Sequence, residues 1–226
     1  AVSGGEPLPD AVSAGFRERF GVTVAEGYGL TETGPVANWC RPQEYRAHSV
    51  GPPLPDVEER IVDPEGRDLP PGEEGEVRIK GPNVMAGYYR RPEETAEAFD
   101  ERGFFRTGDM GRFDEAGHLH ITGRIKEMLI VAGENVFPRE IEEVLDAHPD
   151  VKASAVVGMP DPSRGEVPLA FVELVEDAEF DETALRSHCR TRLGQHKVPR
   201  EIRLLEALPR NPTGKIMRRM LKPAAE

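Results

Sequence analysis

The sequence is poor in cysteine, in aromatic residues and in long apolar runs. Its two cysteines among 226 residues, Cys40 and Cys189, show no metal-ligand spacing and form no disulfide framework. A disulfide-stapled secreted scaffold is excluded, and a reducing cytoplasm is the expected location. No run approaches the roughly 20 apolar residues of a membrane-spanning helix. The opening, AVSGGEPLPD, lacks the basic end and apolar core of a signal peptide and has no initiator Met. It reads as the end of a strand entering a turn, so a fragment or processed piece is expected. Internal repeats and low-complexity tracts are also missing.

Positive charge is scarce overall. Against 41 Asp and Glu stand 29 Lys and Arg, a net charge of −12, which argues against a general nucleic-acid partner. The deficit is uneven. From Arg190 to Lys222 basic residues dominate, with only Glu201 and Glu206 opposing them. A local cationic surface on an acidic body suits a small anion, and a solvated helix face is the plainer alternative. No aromatics interleave there, which counts against an RNA-gripping module.

The chain changes grammar twice. Residues 10–20 place Val12, Phe16 and Phe20 at helical spacing and end before Gly21. VTVAEGYG then reads as a strand leaving through glycines. From about residue 49 to 123, VEERIVD and GEVRIKG alternate apolar and polar residues between Pro- and Gly-rich breaks, and FFRTGDMGRFDEAGHLHITG reads as a hairpin. A small twisted sheet or barrel is expected there. After GRIKE, strands alternate with helices: EMLIVA, then helix PREIEEVLDAHP, strands ASAVVGM and PLAFVEL, and helix DETALRSHCRTRLG capped by Asp181. Strand EIRLLE and a last helix over GKIMRRML follow. The expected fold is α/β and α+β, with a boundary near Arg124–Glu127 separating residues 1–125 from a compact module over 126–226.

Four segments carry the composition of sites. GYGLTETG, residues 27–34, packs glycines and hydroxyls around Glu32; glycines admit a ligand close to the backbone, and a lone acid suits magnesium. FFRTGDMG places Asp109 after a Thr-Gly turn, where a carboxylate can grip a ribose diol or close an Asx-turn. GRIKE sets Arg124 and Lys126 on one side of an extended stretch. AGENVFPREIE leads a glycine loop into a helix. A fifth stretch, PRNPTGKIMRR at residues 209–219, presents Lys215 on a turn.

Taken in order, GGEPLP, GYGLTETG, GEVRIKGPNVMAGYYRRPEET, GFFRTGDMG, GRIKEMLIVAGENVFPREIE and PTGKIMRR resemble the motif series of the acyl-adenylate-forming enzymes. This superfamily includes acyl-CoA synthetases, firefly luciferase and the adenylation domains of peptide synthetases. The resemblance covers nearly the whole chain and is nearest to the fatty-acyl and aromatic-acyl CoA ligases. It implies the end of a large adenylation domain with a β-barrel subdomain, followed by a mobile C-terminal domain. It implies activation of a carboxylic acid with ATP and Mg²⁺ and transfer to coenzyme A. A carrier-protein acceptor is the alternative within the fold, and an anion- or nucleic-acid-binding module the alternative of another class.

Residue by residue, the resemblance puts Gly5, Glu6 and Pro7 beside the adenine, and Glu26, Gly27 and Thr31 against the adenylate and phosphate. Glu32 takes the magnesium position and Asp109 the ribose position. Arg124 and Asn135 also reach the nucleotide. Lys126 is the hinge. Ala132, Gly133 and Arg190 face coenzyme A, and Lys215 is the catalytic lysine of adenylation. Glu6 stands where many of these ligases carry Ala, and Ala132 where Gly or Ser is frequent. The family's phosphate loop has no equivalent in this sequence, so no adenylation by this chain alone is expected.

Overall fold

The computed structural model describes residues 1–212 and 214–221. The chain divides into two compact units, one over Ala1–Ile125 and the other beginning at Lys126. Among the described residues no helix is long and apolar enough to cross a membrane.

The first unit holds two sheets. Strand β1 (Val2–Gly4) leads to helix α1 (Asp10–Phe20), then to β2 (Ala25–Tyr28) and β3 (Asn38–Trp39). β1 lies parallel to β2, with Gly4 opposite Gly27, and β3 runs antiparallel on the other side of β2. The second sheet is an antiparallel meander of β4 (Glu58–Val62), β5 (Gly75–Lys80), β6 (Phe105–Phe113) and β7 (Leu119–Arg124), with helix α2 (Pro92–Ala98) between β5 and β6. Alternation does the sorting, since successive side chains point to opposite faces. Ile61, Val77, Ile79 and Leu119 turn inward with Ala37 to form one core. The expected hairpin between β6 and β7 is an Asx-turn in which Asp114 Oδ1 accepts from the amides of Ala116 and His118, both at 2.9 Å.

The second unit is a sheet ordered β10-β11-β8-β9, with β12 paired parallel to β11. Its strands are β8 (Leu129–Val131), β9 (Glu134–Val136), β10 (Val151–Asp161), β11 (Gly165–Leu174) and β12 (Glu201–Leu204). Helices α3 (Pro138–Asp146) and α4 (Glu182–Arg190) bury one face each against a core that includes Val131, Val156 and Val172. Proline opens α3 at a position where its missing N–H costs nothing. Ile141 and Leu145, one turn apart, are fully buried. The Asp181 carboxylate caps α4 by accepting from the Ala184 amide at 2.9 Å.

The helix expected over residues 10–20 is α1, ended by Gly21 at φ +66°; none of its residues is buried, Val12 and Phe20 are more than half exposed, and the Phe16 and Phe20 ring centroids lie 4.7 Å apart. Helical spacing specifies a face but not what covers it. One expectation differs from the structure. The last helix over GKIMRRML is instead a short bridge between Arg210 and Ile216, followed by one 3₁₀ turn, Arg218–Met220. Gly214 has φ +91°, incompatible with helix, and Ile216 packs on the core of Leu169, Phe171 and Leu208. Lys222 lies outside the described residues.

Candidate active site

The sequence-predicted residues fall on both units, and each unit gathers its own set. In the first, Asp109 is the centre. Gly108 has φ +68°, the left-handed region, and swings β6 so that the next side chain turns inward. Asp109 is only 2% exposed. Its Oδ2 accepts from the Tyr28 hydroxyl at 2.6 Å, its Oδ1 from Arg124 Nε at 3.0 Å, and its amide donates to Thr107 Oγ1 at 3.0 Å. The Thr107 hydroxyl in turn donates to the Val77 carbonyl at 2.6 Å, which fixes the turn on β5. Burial first, and then the Asp109 charge, push the Tyr28 phenol well above its usual range, so it remains a donor throughout the physiological span.

Tyr28 thereby joins β2 to β6 and brings the glycine turn to the buried carboxylate. Glu26, two residues earlier on β2, accepts from the Leu8 amide at 3.1 Å. That bond ties the GGEPLP loop, with exposed Gly5, Glu6 and Pro7, to the strand that carries Gly27. Beyond Tyr28 the chain passes Gly29, where a Cβ would lie 2.1 Å from the Pro35 carbonyl oxygen, so no larger residue fits without moving backbone. A 3₁₀ turn over Thr31–Thr33 follows, with Thr31 exposed and Thr33 buried. The turn is held from outside: Asn83 Nδ2 donates to the carbonyls of Thr33 and Val36 at 2.9 and 3.1 Å. Glu32 is half-buried, and its Oε1 accepts from the Tyr88 hydroxyl at 3.1 Å.

No cluster of three metal-ligating side chains occurs among the described residues. A single carboxylate flanked by hydroxyls does not cage a bare cation. It fits magnesium arriving with phosphates, because Mg²⁺ keeps several waters and takes only one or two protein carboxylates.

Sequence reasoning missed Tyr28, Thr107, Asn83 and Tyr88. Tyr28 and Thr107 lay inside motifs already singled out, and the Thr-Gly-Asp order is itself an ST-turn signal. Asn83 and Tyr88 lie inside the GEVRIKGPNVMAGYYRRPEET stretch, but they act about 50 residues from the turn they brace, and no local pattern assigns them that role.

A second buried acid sits nearby and carries a testable consequence. Glu59 Oε2 accepts from Asn38 Nδ2 at 2.9 Å, while Glu59 Oε1 and Asn38 Oδ1 are buried without a hydrogen-bond partner among the described residues. Burial raises the Glu59 carboxyl to about 7. A proton there supplies a donor where two buried acceptors have none. The folded value lies above the unfolded one, so this contribution to stability is complete below about pH 4.5 and is lost as pH rises through 7. Glu59→Gln, neutral at every pH, is expected to stabilise the first unit by up to about 3 kcal/mol at pH 8 and by little at pH 4.5. Denaturant titrations followed by the fluorescence of Trp39, the single tryptophan, give the comparison.

In the second unit Lys126 is exposed at the unit's start. Ala132 and Gly133 are the two loop residues of the β8–β9 hairpin, with φ +52° and +87°. Positive φ at both positions defines a type I′ turn, which glycine meets freely and alanine only at a cost of about 1 kcal/mol. A side chain added at Gly133 would meet nothing within 4 Å, so the hairpin tip presents bare backbone outward. Asn135 is exposed on β9. Arg190, at the end of α4, lines a cavity of about 500 Å³ with Arg164, Arg186, Arg200, Leu193 and Val198.

Lys215 is half-buried rather than fully exposed. Its amide donates to Asn211 Oδ1 at 2.8 Å, and its carbonyl accepts from the Asn211 amide at 2.8 Å. Three cations of the basic stretch around it are ion-paired: Lys197 meets Glu140 at 2.6 Å, Arg203 meets Glu201 at 2.6 Å, and Arg218 meets Glu142 at 2.6 Å.

A buried carboxylate, glycine backbone and hydroxyls in one unit, with a held lysine and an arginine-lined cavity in the other, are chemistry for a phosphorylated ligand. That class becomes a family through comparison. The model of the AMP-binding enzyme matches residues 1–89, and the model of the AMP-binding enzyme C-terminal domain matches residues 140–215. The chain belongs to the AMP-binding enzyme family.

Its relatives include the sulfoacetate–CoA ligase of Cupriavidus necator, 44% identical over 93% of this chain and 42% of that protein. The long-chain-fatty-acid–CoA ligase of Escherichia coli O6:H1 is 39% identical over 100% of this chain and 40% of that protein. Among solved structures, o-succinylbenzoate CoA synthetase (MenE) of Bacillus subtilis, in complex with its acyl-adenylate intermediate OSB-AMP, is similar at a TM-score of 0.89. It is 35% identical over 100% of this chain and 46% of that one. The chain thus spans about two fifths of the length of the curated relatives it matches.

Proposed function

We propose that the whole protein is an ATP-dependent acyl-CoA ligase acting on a fatty or aromatic carboxylic acid, and that this chain supplies its ribose grip, its hinge and its adenylation lysine. The observation that carries the reading is the convergence on Asp109. A carboxylate that is almost wholly buried and oriented by Tyr28 and Arg124 beside a glycine turn fits a ribose diol. The relatives, ligases of CoA with a sulfonated, a fatty and an aromatic acid, support the reaction class. The free buried thiols of Cys40 and Cys189 fit a cytoplasmic setting.

In the first half-reaction a carboxylate oxygen attacks the α-phosphorus of ATP, the bond to the bridging oxygen breaks, and pyrophosphate leaves with the electron pair. Negative charge grows on the phosphoryl oxygens. Lys215 meets that charge with a positioned ammonium. Asp109 holds the ribose, Gly5, Glu6 and Pro7 lie beside the adenine, and Glu26, Gly27 and Thr31 face the adenylate and phosphate. Glu32 would hold magnesium, which when bound offsets charge on the phosphates. In the second half-reaction the CoA sulfur, its proton lost to solvent, attacks the acyl carbonyl and AMP leaves. The bare turn at Ala132 and Gly133 lets the pantetheine arm pass, and the cavity at Arg190 suits the phosphates of CoA. Lys126 is the hinge between the two half-reactions, and Asn135 adds a nucleotide contact.

The test is carboxylate-dependent ATP–pyrophosphate exchange by the whole protein over fatty, aromatic and short acids, with this chain alone run beside it. Exchange with an acid of one class, and a CoA thioester formed from that acid, is the expected result. No exchange with any acid would overturn adenylation. Exchange without CoA-dependent product would move the acceptor to a carrier protein.

A further inference from the structure

Lys215 is the acting group of the proposed reaction, yet nothing in that reaction explains how its loop is held still. The loop runs from Leu208 to Leu221, two residues that are themselves buried in one core with Ala155, Leu169 and Phe171. Between them the chain turns back on itself: the Met217 amide donates to the Pro209 carbonyl at 2.7 Å, and Arg210 Nη1 donates to the Gly214 carbonyl at 3.0 Å. Two acids of the unit stand at the feet of this loop, and both are buried.

Glu142, on α3, is the stronger case. Its Oε1 accepts from the Val156 amide at 2.7 Å and from Arg218 Nε at 3.1 Å, and its Oε2 from Arg218 Nη2 at 2.6 Å. This is a two-pronged guanidinium–carboxylate pair, the geometry that fixes orientation as well as distance. Arg218 Nη1 reaches Glu127 as well, at 3.4 Å. Glu173, on β11, holds the other foot: its Oε2 accepts from the Leu208 amide at 3.2 Å and stands 3.9 Å from Arg210 Nη2. A buried charged pair is a poor way to gain net stability, because desolvation offsets most of the attraction. Its use is more often to fix one arrangement.

We propose that Glu142 and Arg218, with Glu173 as a second anchor, are positioning residues that hold the Lys215 loop in the geometry needed for adenylation. The proposal rests on Lys215 being the adenylation lysine. Arg218 is three residues beyond Lys215, so the pair ties the lysine's loop to Glu142 on α3, and through the Val156 amide to β10, without touching the substrate.

The test uses the whole protein as wild type, Lys215→Ala, Arg218→Lys and the double variant Glu142→Gln/Arg218→Met. The double variant removes the ion pair, leaves no buried charge behind and keeps an acceptor for the Val156 amide. Three quantities are read: exchange of pyrophosphate into ATP, thioester formation from supplied acyl-adenylate and CoA, and hydrogen exchange at the amides of Lys215 and Met217. The double variant is expected to lower kcat for pyrophosphate exchange by roughly 10- to 100-fold, the cost of a misplacement of about 1 Å. KM for ATP and the thioester step should be little changed, and the two loop amides should exchange faster while β10 and β11 remain protected. Arg218→Lys, which keeps the charge and loses the fork, falls between. It also carries the test if the double variant fails to fold.

Pyrophosphate exchange at the wild-type rate in the double variant, with Lys215→Ala inactive, overturns the positioning role and leaves the lysine reading intact. An equal fall of both half-reactions also overturns it, since that marks a merely structural pair. Wild-type exchange in Lys215→Ala overturns the lysine reading itself and this proposal with it.

Discussion

Lys215→Ala is expected to reduce carboxylate-dependent pyrophosphate exchange by at least about 100-fold, while thioester formation from supplied acyl-adenylate continues near the wild-type rate. The asymmetry follows from what each step asks of a cation. Adenylation builds negative charge on phosphoryl oxygens and on departing pyrophosphate, and a preorganised ammonium lowers that barrier without reorganising at the moment of reaction. Attack of a thiolate on an acyl carbonyl involves no attack at phosphorus and no departing pyrophosphate: its charge grows on the carbonyl oxygen and on the oxygen by which AMP leaves, so the task proposed for Lys215 does not recur. Lys215 is suited to the first task because its backbone is doubly bonded to Asn211, one residue beyond the Arg210–Ile216 bridge. Lys215→Arg should not rescue the loss. A guanidinium is wider and planar and spreads its charge, so it cannot replace a compact ammonium at one geometry. Single-turnover measurements of the two half-reactions decide the matter. Equal losses in both would assign Lys215 to binding or folding and not to adenylation.

Local grammar made much of each unit legible. Proline at the start of PREIEEVL and apolar residues four apart gave α3, and Asp181 gave the start of α4. The Asp-Glu-Ala-Gly turn gave the β6–β7 hairpin. In each case the deciding interaction spans four residues or fewer, so the sequence window contains it. Where the deciding interaction is long-range, reading failed. Glu142 is one of three acids in PREIEE and looks like any solvated helix position. It is buried because Arg218, 76 residues later, meets it. That same contact, with Ile216 drawn into the core, denies GKIMRRML its helix. On α1 the spacing gave the helix correctly, and what covers its apolar face is not a local property: none of its residues is buried among the described residues. The site shows the same division. Asp109 and the glycine turn were visible as separate motifs. Tyr28, which joins them across 81 residues, was not assigned a role, because an aromatic between glycines is equally a packing residue.

Asp109→Ala should weaken nucleotide binding by at least about 100-fold, since two hydrogen bonds from a diol to a carboxylate contribute roughly 1.5–3 kcal/mol each. Tyr28→Phe should cost far less, about 3- to 30-fold, because it leaves the carboxylate in place and removes only one neutral donor that orients it. The order matters more than either number. If the pocket served only to satisfy a buried acid, removing Tyr28 would leave Asp109 short of a partner and lower stability, with no effect specific to nucleotides. If it serves a ribose, affinity must fall for AMP and ATP alike and should discriminate against analogues without the 2′- and 3′-hydroxyls. Arg124 sharpens the distinction. Its side chain is half exposed, so Arg124 is resolvated when Asp109 is lost and the fold tolerates the change. Titration calorimetry of AMP and of its dideoxy analogue against wild type, Asp109→Ala and Tyr28→Phe separates the cases. Wild-type discrimination between the two ligands that vanishes in Asp109→Ala places the ribose on Asp109. Equal affinity for both ligands in wild type would remove the diol from the site and leave Asp109 a structural acid.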